Sequence, residues 1–127
     1  MSYQAYQKAS SRSEDPRLTE YRLMGLITKQ LIDVKEMGVD RLKEKVAALY
    51  RNRRVWSSFA SDCASESNQL PQELRAGIIS LSMFVDRETS EVIRGDGDID
   101  TLIDINKMIM QGLAPKSDAE GPSAAAG

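Results

Sequence analysis

Apolar residues along this chain recur every three or four positions, and no stretch alternates as a β-strand would. Asp15-Pro16 reads as an N-cap followed by proline at the first helical position. Behind it, Leu23, Ile27, Leu31 and Val34 fall on one helical face, and Gly38 closes the segment. Asp40 is expected to open the next helix, with the stripe Leu42, Val46, Leu49, Arg53, Trp56, Ala60 and Cys63, which places Arg53 inside an apolar seam. Leu70-Pro71 breaks the chain and starts a helix to about Arg94, striped by Leu74, Ile78, Leu81, Val85, Glu88 and Val92. Its run Ala76 to Val85 carries no charge, which predicts the central, most buried helix of the fold. Gly95 and Gly97 mark a turn, and Asp98 suits the N-cap of a last helix carrying Ile99, Leu102, Ile103, Ile109, Met110 and Leu113.

A short helix over residues 2–11 is expected ahead of these, and the Ala/Gly/Ser/Pro tail APKSDAEGPSAAAG has too little to bury to be ordered. The prediction is therefore all-α: a bundle of four main helices plus a short N-terminal one over residues 1–113, then a disordered tail at 114–127. With 127 residues the chain has enough apolar surface for one self-sufficient core.

Charge adds a polarity to this picture. Residues 1–60 hold twelve Lys/Arg against seven Asp/Glu, and residues 61–127 hold five against twelve, for a net charge of −2. Such a balance weighs against nucleic acid or membrane as a partner, and it suits two halves that pack against each other. The polar opening MSYQAYQKASSRSEDPR lacks the apolar region of a signal peptide. One cysteine, Cys63, cannot form an internal disulfide, and a cytoplasmic location is expected.

Candidate chemistry is sparse. No histidine is present, so the commonest general base and metal ligand is missing. Cys63 lies on the core stripe, where a free thiol behaves as a small hydrophobe. The stretch DGDIDTLIDINK places Asp96, Asp98 and Asp100 at the first three ligand positions of a calcium loop. It then has Thr101 where that loop needs glycine and Lys107 where it needs a bidentate glutamate. Neither catalytic, cofactor nor metal residues are expected.

The cluster RNRR at 51–54 would suit an anion, but about 100° of helix rotation per residue separates its members, and no aromatic platform accompanies it. A guanidinium in an apolar seam needs a partner. Arg53 is accordingly expected to pair with Glu20 or, as second choice, Glu88, fixing register between helices. Asn106, amid the last helix's apolar arc, is expected to act similarly, and Trp56 to anchor the core. Met24, Ile79, Met83, Ile105, Met108 and Ile109 are apolar beyond what one contact face requires. They either complete the core or line a groove for an amphipathic partner helix, a use for which methionine is favoured.

Landmarks distributed over residues 1–113 are YQAY at 3–6, DPRLTEYR at 15–22, NRRVW at 52–56, DC at 62–63, LPQELRAGIISLSMFV at 70–85, RETSEVIRG at 87–95 and DTLIDINKMIMQGL at 100–113. In this order and spacing they resemble the FlaF family of bacterial flagellar-biosynthesis proteins. The resemblance implies a non-enzymatic factor that binds newly made flagellin, covers its amphipathic terminal helices and promotes its production and type III export. FlbT, which acts in the opposite sense on flagellin translation, and the export apparatus are implied as further partners. The alternative it leaves open is a post-transcriptional regulator of flagellin mRNA acting with or against FlbT. It brings no catalytic or cofactor residue.

Overall fold

The computed structural model describes residues 16–114, so the helix expected over 2–11, the Asp15 cap and all of the tail after Ala114 lie outside the described residues. Four α-helices carry the fold, with no strand among the described residues: α1 (Pro16–Lys35), α2 (Leu42–Cys63), α3 (Gln72–Arg94) and α4 (Ile99–Leu113). A 3-10 turn at Val39–Arg41 leads into α2, so the α-helix starts after Asp40 rather than at it.

Each helix packs on its neighbours in sequence, and α4 closes the ring by packing on α1. Contacts fix the directions. Gln30 meets Arg51 between α1 and α2, Arg53 meets Ser90 and Arg75 meets Cys63 between α2 and α3, and Lys35 meets Asp100 between α1 and α4. Adjacent helices are therefore antiparallel, an up-down-up-down bundle in which α2 and α4 are diagonal partners.

The helix ends are tied by side chains from elsewhere in the bundle. Arg75 of α3 donates from Nε to the Cys63 carbonyl and from Nη2 to the Ser65 carbonyl, both at 2.9 Å. It thus places a cation at the negative end of α2. At the end of α3, Gly95 takes φ +91°, and the Gly95 and Asp96 amides bond back to the Val92 and Glu91 carbonyls, a Schellman closure that L side chains resist. Gly97 lies so close that a Cβ there would meet Glu88 Oε2 at 2.7 Å and the Val92 backbone nitrogen at 2.8 Å. Asp98 then caps α4 by accepting from the Asp100 amide at 2.9 Å, while Glu88 accepts from the Asp98 amide at 3.1 Å. The acidic turn is helix capping, and among the described residues no group of His, Cys, Asp or Glu could hold a metal ion. None of the described helices is long and apolar enough to cross a membrane.

Met24, Ile27 and Leu31 of α1, Leu49 and Trp56 of α2, Ile78 and Val85 of α3, and Leu102 and Leu113 of α4 form the closed centre of the core. Two sequence expectations change here. On α2 the buried line is Leu49, Asn52, Trp56, Phe59 and Cys63, so Asn52 occupies the seam and Arg53 its edge. Both lines share Leu49, Trp56 and Cys63, and positions 52 and 53 lie on opposite sides of that shared line at similar angles, so apolar periodicity fits either. Burial energy resolves it, because desolvating an amide costs far less than desolvating a guanidinium. Nor is α3 the most buried helix: Ile78, Val85 and Thr89 are its only buried residues, against six in the shorter α4. Its packing is mainly on α2, and four of the ten residues in the uncharged run, Ala76, Ser80, Met83 and Phe84, face outward.

Asn52 joins a hydrogen-bonded relay through the centre. Asn106 Nδ2 donates to Asn52 Oδ1 at 2.7 Å, and Trp56 Nε1 donates to Asn106 Oδ1 at 2.8 Å. All three residues are fully buried, and the relay joins the diagonal helices α2 and α4. Asn52 Nδ2 has no protein acceptor, so the relay is not fully satisfied.

Asn106→Ala is expected to lower unfolding free energy by roughly 2–4 kcal/mol, from the orphaned Trp56 donor and the cavity left behind. Gly97→Ala is expected to cost about 1–3 kcal/mol, because the Val92 backbone cannot yield as a side chain would. Urea denaturation checks both, and wild-type midpoints would refute the respective arguments.

Candidate binding surface

The residues expected to line one partner groove do not come together. Met24 is fully buried, and Ile105 and Ile109 are buried, so these three are core and are not available as contact surface in the folded bundle. Helix packing explains this: the buried line of α1 is Met24, Ile27, Thr28, Leu31 and Val34, with Met24 in the place expected of Leu23, which is exposed, and the α4 arc is wide because α4 touches both α1 and α3. Ile79 is half-buried against the core. Met83 is 69% exposed on α3 and Met108 is 52% exposed on α4. Met83 borders a depression between α2 and α3, which Met108 does not reach.

Arg53 pairs with neither expected carboxylate. Antiparallel packing sets Glu20 near Asp62, nine residues or about 14 Å along α2 from Arg53. Glu88 is turned to the Asp98 amide on the α4 side of α3. Instead, Arg53 Nη1 donates to Ser90 Oγ at 3.1 Å, Nε lies 3.7 Å from Asp86 Oδ1, and the guanidinium sits 5.1 Å from the centre of the Tyr50 ring. This is a cation–π placement at the surface edge of the α2–α3 seam.

Around Arg53 the seam opens. Two adjoining depressions of about 700 and 750 Å³ share Arg53, Ser57 and Asp86. The first extends along α2 past Tyr50 and Arg54 to Ser61 and Asp62. The second extends along α3 through Ser82, Met83 and Arg87 to Arg94. Serines keep the walls low, while four arginines face two aspartates, leaving the groove net positive. Arg51 is not part of it, since its Nη1 donates to Gln30 Oε1 on the opposite, α1 side at 2.8 Å. The sequence held one signal of this groove: serines at outward positions of two helices that otherwise carry large side chains.

Nothing in the site supports covalent chemistry at Cys63. Burial, with a lesser contribution from the Glu20 charge, pushes its thiol pKa up to about 11, so the nucleophilic thiolate is scarce at neutral pH.

A model of the family described as Flagellar protein FlaF matches residues 2–113, which takes in every described helix. No curated protein and no solved structure matches the chain significantly.

Glu20 supplies a pH-dependent test of the packing. Burial and, secondarily, the Asp62 charge raise its carboxyl pKa above the ordinary 4.5. The folded chain therefore holds this proton more tightly than the unfolded chain, and stability falls as pH rises through the interval just above 4.5. Glu20→Gln is expected to raise the melting temperature at pH 7 by a few degrees at most, given the partial exposure of the group. The gain should vanish near pH 4, where the wild-type carboxyl is protonated too. A melting temperature lowered at pH 7 would show that the Glu20 charge is satisfied in the fold.

Proposed function

The chain belongs to the FlaF family of flagellar proteins, and from that membership we propose that it binds newly made flagellin and promotes flagellin production and type III export. The supporting observation is the outward half of α3. Met83 and Phe84 stand exposed at the end of the uncharged Ala76–Val85 run, although the core closes without them. An exposed apolar pair, on a bundle already packed, is suited to the apolar side of another helix. Each large apolar side chain fully covered there would contribute about 1.5–3 kcal/mol, offset in part by ordering of the partner.

Flagellin is the partner of this reading, through a terminal amphipathic helix, and FlbT and the export apparatus are its further partners. The role is that of a chaperone or adaptor, with no catalytic step and no cofactor. Direct regulation of flagellin mRNA finds less support. Arg51 and Arg53 of the RNRR cluster face opposite sides of α2, and Asp62 and Asp86 stand among the remaining arginines. Both arrangements are poor for tracking phosphates.

Calorimetric titration with flagellin, full-length and lacking its C-terminal helix, tests the reading at two salt concentrations. Binding to the full-length protein that persists at the higher salt and disappears with the helix is the expected result. An absence of heat with both forms would sink the flagellin reading.

A further inference from the structure

Resting on that reading, we propose that the groove between α2 and α3 is where the flagellin segment docks, and that Arg53 recognises a carboxylate on an amphipathic helix lying in it. The two depressions form one continuous groove because Arg53, Ser57 and Asp86 border both. From Tyr50 to Ser61 its α2 wall is about 16 Å long, the length of three helical turns. Ser57, Ser61, Ser82 and Ser90 keep the side walls low, so a helix can approach the seam closely.

Arg53 is oriented and under-used. Tyr50 supports its face and Ser90 accepts from one nitrogen, while Asp86 lies at 3.7 Å, beyond hydrogen-bond distance, with its own side chain 72% exposed. A guanidinium has five N–H donors in a rigid fork suited to a bidentate carboxylate. Only one of those donors is engaged by a hydrogen bond in the described structure. A partner carboxylate could therefore take the fork that Asp86 only approaches, in a site partly removed from water, where such a contact is strong.

Charge and shape define the occupant. Arg54 and Arg87 flank the groove on opposite helices and make no ion pair among the described residues, so the field around Arg53 favours acidic side chains. Met83 offers an apolar contact on the same wall. A helix with an apolar stripe bordered by Asp or Glu fits both features. A nucleic-acid strand fits them less well, because the face of Tyr50 already carries Arg53 and no other aromatic ring lines the groove for a base to stack on.

The test is calorimetry with full-length flagellin against wild type, Arg53→Gln, Arg54→Glu, Arg87→Glu and Met83→Ser, with Arg51→Gln as a control on the α1 side. Thermal melts establish that each variant is folded, and the exposed positions Arg54, Arg87 and Met83 keep the test independent of any instability at Arg53. Arg53→Gln is expected to weaken binding about tenfold or more. The other groove variants should weaken it several-fold and the control less than about twofold. Wild-type affinity in all groove variants would overturn the groove proposal and leave flagellin binding standing. If wild type binds no flagellin, the functional reading and the groove proposal fall together. If it instead binds flagellin mRNA with the same dependence on Arg53 and Arg54, the groove reads phosphate and the helix-docking proposal is overturned.

Discussion

The rotation of α2 about its own axis governs most of what this bundle presents to solvent, and the buried Asn52–Asn106–Trp56 relay fixes that rotation. With Asn52 in the seam, its Oδ1 meets the Asn106 amide from the diagonal helix, and Trp56 one turn on completes the chain of donors. Turning α2 enough to bury Arg53 would break both hydrogen bonds and desolvate a guanidinium. Polar groups inside a low-dielectric core are costly unless paired, so the relay disfavours other registers more than it adds to stability. Asn52 Nδ2, buried and without a protein acceptor, marks the compromise.

That rotation carries Arg53 to the α2–α3 edge, where it is seven-tenths covered, rests on Tyr50 and reaches Ser90. Core and surface are coupled through adjacent positions of a single turn: the amide that locks the centre determines where the next residue's charge emerges. Arg54 follows on the outside, and Arg51 is directed to Gln30 across the α1 side. A cluster that is contiguous in sequence is thereby divided between two faces.

The other surface feature follows from how the ring of helices closes. The contacts of α4 with both α1 and α3, and its buried Asn106, leave α3 with one well-covered flank, on α2. The uncharged stretch of α3 consequently divides, with Ile78 and Val85 inside and Met83 and Phe84 outside. Helix ends are more tightly constrained than this face. Arg75 holds the end of α2, and Glu88 with Gly97 sets how α3 hands over to α4, so the groove is bounded by fixed termini. Rigid ends around an open face suit a site that receives a helix without reorganising the bundle.

Helix existence and approximate limits were legible in the sequence, because they depend on local chemistry. Pro16, Pro71, Gly95 and Asp98 act through φ, missing donors and capping oxygens within a few residues of themselves. Family membership was legible as well, and the family model that matches spans residues 2–113. The choice between Asn52 and Arg53, the burial of Met24 and Ile109, and the partner of Arg53 were not legible. Each depends on where a neighbouring helix lies, and positions 52 and 53 flank the shared apolar line of α2 on opposite sides, so periodicity alone does not choose between them. Sequence alone thus determined the four described helices and their approximate ends. Only tertiary packing decided which way each one turned, because the cost of burying charge and unpaired amides is set by groups far apart in the chain.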